Sequence, residues 1–142
     1  MQIEAFDFST LEPLHEHLCL DFANTTPYHA DLESDHLNSY ADLISWSLDV
    51  DLLSEDEARR LLALAARHPS EADAVLRQAI DLRETIYRIL ADIARERPTH
   101  SDDFEHFNAL LQDAMPHLRL MPGDACCRWT WADEENHLEQ VL

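Results

Sequence analysis

A single glycine, Gly123, serves all 142 residues of this chain, and that scarcity constrains the fold more than any other feature. Sandwiches and barrels turn often, and their tight turns place glycine where the backbone needs a positive φ. They also draw on β-branched runs. Here the apolar residues are mostly Leu, Ala and Ile, a balance that favours helices. Hydrophobic residues make up 46% of the chain, too many for a disordered segment and enough at this length for one real core. The expected fold class is mostly α: a bundle-like helical domain over residues 1–142, with a small β-hairpin or short sheet near the C-terminus.

Charge narrows the function. The ten basic residues, all arginine, face 29 acidic ones, for a formal net charge of −19. Such a surface repels phosphate backbones and anionic membranes, so neither direct nucleic-acid contact nor membrane association is expected of this chain. No stretch is long and apolar enough for a transmembrane helix, and Met1 leads into Glu4 and Asp7 instead of a signal peptide. Cys19, Cys126 and Cys127 are odd in number and two are adjacent, so no disulfide framework is implied and a cytoplasmic location is expected.

Along the chain, Phe6 and Phe8 alternate with acids and suggest a brief edge strand. Residues 14–25 fit a helix, since Leu14, Leu18, Asp21, Phe22 and Thr25 share one side; a strand over Leu18–Phe22 is the alternative. Residues 26–36 form a polar loop. Leu37, Tyr40, Ala41, Ile44 and Leu48 then mark an amphipathic helix. Ser54 and Glu57 form a capping box ahead of Ala58, Leu61, Leu62 and Ala65, a helix ending at His68. Pro69 suits the first position of a long helix that runs to about Arg97 and stops at Pro98. Ser101 or Asp102 caps another, with Phe104, Phe107, Leu111 and Met115 expected inward. Leu118–Met121, the PGD turn and CCRWTW predict the hairpin, with Cys127, Trp129 and Trp131 on one face. LEQVL begins a helix that stops at once, which predicts a fragment of something longer.

Two charges sit where core is expected. Asp21 lies inside the apolar run HLCLDFANT. On the long helix, Ala72, Leu76, Ala79, Ile86, Leu90 and Ile93 form the apolar stripe, and Arg83 falls among them. Arg77, Asp81, Glu84, Arg88, Asp92 and Arg95 lie on the other side, with Glu84 and Arg88 spaced for an exposed pair. An unpartnered buried charge of either sign is very costly. The economical arrangement is therefore that Asp21 and Arg83 meet. Such a pair is either purely structural or the anchor of a small-ligand pocket. In the second reading the ligand-binding residues are Asp21, Asn24, Thr25, Arg83 and Tyr87, with Trp129 and Trp131 as aromatic walls.

Three segments in this order, HLCLDFANT, NSYADLISW and AIDLRETIYRIL, with a late LRLMPGDACCRWTWAD, resemble the ABATE domain of bacterial stress-induced transcription regulators. The resemblance covers roughly Leu14 to Leu142. It implies a regulatory domain and singles out Asp21, Asn24 and Thr25, then Tyr40, Asp42 and Trp46, then Arg83, Glu84 and Tyr87. It also implies a C-terminal CGNR zinc finger carrying the DNA contact and the zinc, a module absent from this chain; no cofactor is expected in what remains.

Other chemistry has less to stand on. His15, His17 and Cys19 share a face only in a strand, there is no HExxH motif, and no native metal site is expected. Neither GxSxG nor a glycine-rich phosphate loop occurs. Asp21 beside an arginine would have a lowered pKa and make a poor general base, so no enzyme is expected. The sequence predicts a sensor of an unknown small molecule within a transcription regulator, self-associating as a homo-oligomer. The alternative is a structural or oligomerisation module without a ligand.

Overall fold

A computed structural model of the chain describes residues 17–26, 35–123, 127–131 and 138–141. In chain order these form α1 (Leu18–Ala23), α2 (Tyr40–Asp49), α3 (Glu55–Arg67), α4 (Pro69–Ala94) and α5 (Ser101–Ala114). A 3-10 turn (Met115–His117) leads to strands β1 (Leu118–Pro122) and β2 (Cys127–Trp131), and a second 3-10 turn spans Leu138–Val141. The protein is mostly helical, as the scarcity of glycine requires. The strands pair antiparallel, Leu118 opposite Trp131 and Pro122 opposite Cys127, the expected hairpin. The edge strand around Phe6 and Phe8, and the cysteine at 126, lie outside the described residues.

Among the described residues the core is one cluster. Phe22 and Ala23 of α1, Leu37, and Tyr40, Leu43, Ile44 and Trp46 of α2 meet Ala58 and Leu61 of α3 and Ala72, Val75, Leu76, Ala79 and Ile86 of α4. Phe22 and Trp46 pack ring to ring, tilted by 39° with centroids 4.8 Å apart, a favourable offset geometry. Helices α1, α2, α3 and α5 all pack against α4, the central rod of the fold.

Helix ends follow local chemistry. The Ser54–Glu57 capping box is present, and Pro69 opens α4. Helix α2 begins three residues later than the periodicity predicts. A second capping box explains this: the Asp42 carboxylate accepts from the Ser39 N–H and hydroxyl, both at 2.8 Å, and from Asn38 N–H at 3.0 Å. Leu37 remains buried ahead of the cap, so the apolar pattern runs past the start of the helix.

Three expected faces turn out otherwise. Ile93 is 59% exposed, because the apolar stripe of α4 outruns the core. Phe104 and Leu111 of α5, and Met115 in the turn after it, are exposed, and Phe107 is partly buried. The helix rests on α4 along an adjoining line instead, where Asp103 takes Arg88 at 2.7 Å and His106 faces Asp81 at 2.7 Å. Arg88 is thus committed to Asp103, while Glu84 turns to Arg83, so the expected Glu84–Arg88 pair does not form. At the far end, Leu138 is a core residue whose carbonyl accepts from the buried Tyr40 hydroxyl at 2.9 Å. The Leu138–Val141 segment, where a helix was expected to begin, is a 3-10 turn in contact with α2, α3 and α4.

With so little glycine, two helices end on left-handed residues that carry a Cβ: Asp51 at φ 58° after α2 and Glu96 at φ 53° after α4. In each case the next N–H reaches back across the cap, Leu52 to the Ser47 carbonyl at 2.8 Å and Arg97 to Asp92 at 2.9 Å, the Schellman pattern that usually places glycine at this position. A Glu96→Gly substitution is expected to stabilise the protein by about 1 kcal/mol by relieving the Cβ clash. Urea unfolding measures it; a destabilised variant would show that no strain is held there.

Candidate functional site

Arg83 projects from the middle of α4 into the interior and is 1% exposed. A guanidinium has five N–H donors in a fixed planar fork, and protein acceptors take all of them. Nη1 donates to Asp35 Oδ1 at 2.7 Å and to Thr25 Oγ1 at 3.3 Å; Nη2 donates to Asp35 Oδ2 at 2.5 Å and to Glu84 Oε1 at 2.9 Å; Nε donates to Glu84 Oε1 at 3.1 Å. Asp35 thus meets the fork end-on with both oxygens, Glu84 meets it side-on, and Thr25 takes the last hydrogen.

The buried partner of Arg83 is therefore Asp35 and not Asp21. Once Asp35, Glu84 and Thr25 are seated, the fork has no donor left for a third carboxylate. Asp21 is half-buried on α1 and Asn24, at the end of α1, is exposed. Asp35 lies 48 residues from Arg83, in the segment expected to be a polar loop. A local signal did exist in DHLNS. The Asp35 carboxylate accepts from the Leu37 N–H at 2.9 Å, and its carbonyl accepts from the Asn38 amide at 2.6 Å, an Asx-type turn before a capped helix. No local pattern could show that this turn also reaches α4.

Each contributor is placed by its own element. Thr25 follows α1, its hydroxyl donating to the Phe22 carbonyl at 2.8 Å while accepting from Arg83. Asp35 is held by the turn that leads into the Ser39 cap of α2. Arg83 and Glu84 are adjacent on α4. Tyr87, one turn further along, packs partly buried against the core. The backbone of Trp129 and Trp131 runs in β2, and their side chains are outside the described residues. Of the expected ligand-binding residues, Thr25 and Arg83 are brought into hydrogen-bonding contact.

The electrostatics agree with the geometry. Burial acts to raise the Asp35 pKa and is outweighed by the Arg83 hydrogen bonds, the Leu37 N–H and the positive charges nearby, so the carboxyl sits below its ordinary value. Burial likewise acts to lower the Arg83 pKa and is outweighed by Asp35 and then Glu84, so the guanidinium is held charged. One buried cation serves two carboxylates, and Glu84, less deeply buried, keeps part of its hydration. Among the described residues no group of three His, Cys, Asp or Glu side chains could hold a metal ion.

The fold and this cluster define a small helical domain stapled from within by an ion pair between its central helix and the loop before α2. The chain belongs to the ABATE family, described as "Putative stress-induced transcription regulator", which it matches over residues 16–142. Neither a curated protein nor a solved structure matches it. Of the residues that the resemblance singles out, Thr25, Arg83 and Glu84 lie in the cluster, Asp42 in the α2 cap, Tyr40 on the Leu138 carbonyl and Trp46 against Phe22, while Asp21, Asn24 and Tyr87 make no hydrogen bond to Arg83.

Removing either member of a buried pair strands the other, at a cost of about 3–5 kcal/mol. Arg83→Ala and Asp35→Ala should each lose that much in denaturant unfolding, and the double variant less than their sum. Additive losses would mean that the two residues do not interact. The pH dependence has a definite sign. A carboxyl lowered by folding contributes stability above its unfolded pKa, about 4, and that contribution fades as pH falls through the lower folded value. The stability gap between the protein and Asp35→Asn is therefore expected to hold steady from neutrality to about pH 5 and to narrow below about pH 4. A gap that widened on acidification would contradict the assignment.

Proposed function

We propose that this chain is the regulatory domain of a transcription regulator, that it makes no DNA contact itself, and that it acts through its protein surface. The observation that carries the reading is the net charge of −19 on a member of a transcription-regulator family. Transcription regulators need a basic surface somewhere to reach DNA, and this acidic domain is suited to the complementary, non-contacting role.

Arg83 bears on which of the two modes of regulation is favoured. A sensor of an anionic effector needs a guanidinium with donors to offer, and here all five are engaged by the protein. An effector could reach Arg83 only by displacing Asp35, Glu84 or Thr25, and displacing Asp35 would strand a buried carboxylate. The geometry thus supports a domain that works as a rigid interaction module over a small-molecule sensor anchored at Arg83.

Fluorescence anisotropy with duplex DNA at low salt tests the first claim. No binding is expected at concentrations where non-specific DNA binders associate, about 1–100 μM. Binding that weakens steeply with salt would overturn it. A metabolite screen by thermal shift tests the second, since a ligand that binds the native state alone raises apparent stability. A saturable shift that disappears in a folded Arg83→Lys variant would restore the sensor reading.

A further inference from the structure

Glu84 and Arg88 each have two possible partners of opposite charge, and the structure shows one of the two pairings. Arg88 donates from Nε to Asp103 Oδ1 at 2.8 Å and from Nη2 to Thr85 Oγ1 at 3.1 Å, with Nη2 2.7 Å from the same Asp103 oxygen. Glu84 accepts from Arg83. Yet Glu84 and Arg88 stand four residues apart on α4 with the acid N-terminal, the order and spacing at which such side chains pair on a helix. They already act on one another. Arg88 is held charged first by its Asp103 hydrogen bond, and the carboxylates of Asp81 and Glu84 add to this.

The helix that supplies Asp103 is lightly held. Among the described residues, α5 makes its extensive helix contact with α4 alone. Asp103 is the buried residue of α5, and Phe107 is the side chain of α5 that packs, partly buried, against the core. The second charge contact, His106 to Asp81, joins side chains 40% and 61% exposed. Pairs so open to water add little.

We propose that α5 is a releasable helix whose release exchanges ion pairs: Arg88 leaves Asp103 and takes Glu84, which leaves Arg83. The exchange keeps the buried charge served. Arg88 passes from one carboxylate to another, and Asp103 gains water as α5 lifts. Arg83 retains Asp35 end-on through both oxygens. Its side-on edge, Nε–H and one Nη2–H, is what changes partner, and Glu84, with its side chain 23% exposed, lies where water can follow. The core staple therefore stays closed while α5 opens, and the position of α5 is reported at Arg83. This device belongs to the fold itself and does not rest on the regulatory reading above.

Exchange of the Arg83 Nε–H with solvent, followed by nuclear magnetic resonance in the intact chain, reads the pairing directly. In the unmodified protein this group should be protected. Asp103→Ala should speed its exchange by about tenfold or more, as for a group exposed by local opening. Adding Arg88→Met should return the rate to its starting level, because Glu84 then has no cation four residues on to draw it away. Loosening of α5 alone would not produce that reversal. Should Asp103→Ala fail to fold, the unmodified protein and the single Arg88→Met variant carry the same test. In the first, the α5 amides and the Arg83 Nε–H should share one protection factor. In the second, the α5 amides should exchange faster while the Arg83 Nε–H stays protected. An Arg83 Nε–H that ignores Asp103→Ala, or that stays fast once Arg88→Met is added, would overturn the proposal, as would Nε–H and α5 amides that respond alike to Arg88→Met.

Discussion

A guanidinium buried at the centre of a small helical protein must find acceptors for five N–H groups in one plane, and the rest of this structure is arranged around that demand. Arg83 meets it with Asp35 end-on, Glu84 side-on and Thr25 at the remaining hydrogen. These acceptors come from the end of α1, the turn before α2 and α4 itself. Because the fork is rigid, the cluster sets the distance and rotation of these elements together. An apolar core of Leu, Ile and Val would pack α4 against its neighbours with some latitude in register. A two-oxygen, two-nitrogen fork permits very little.

Such a cluster is not a simple source of stability. The desolvation of Arg83 and Asp35 is large, and well-packed hydrophobic replacements of a buried pair are often neutral or better. Its effect lies in what becomes costly: any arrangement of α1, the Asp35 turn and α4 that separates the partners leaves a charge uncompensated in the core. The surrounding caps act in the same direction. Asp42 fixes the start of α2 through three hydrogen bonds, and the Tyr40 hydroxyl ties the Leu138 turn to the same helix.

With the five Arg83 donors all engaged within the fold, the proposed regulation falls to the surface. That surface is strongly acidic, which disfavours phosphate backbones, and among its exposed large apolar side chains are Phe104 and Leu111 of α5 and Met115 just after it. Phe104 and Leu111 stay exposed as α5 rests on α4 along an adjoining line, through Asp103–Arg88 and His106–Asp81 contacts. Those pairs rotate the helix so that only part of its apolar face is covered.

The residues themselves determined the helical class, the hairpin, the Ser54 cap, the entry of α4 at Pro69 and the anomaly of Arg83 within an apolar stripe. All of these follow from propensity, periodicity or capping, which act within a few residues. Which acid answers Arg83 was decided only by the tertiary structure. Asp21 is the more conspicuous acid because it interrupts an apolar run, whereas Asp35 looks like ordinary loop polarity until the chain brings it across 48 residues to α4. The same limit applies to α5 and to Leu138: a periodic pattern shows which positions are apolar. Whether a neighbour arrives to cover them depends on contacts between elements that no local interaction encodes.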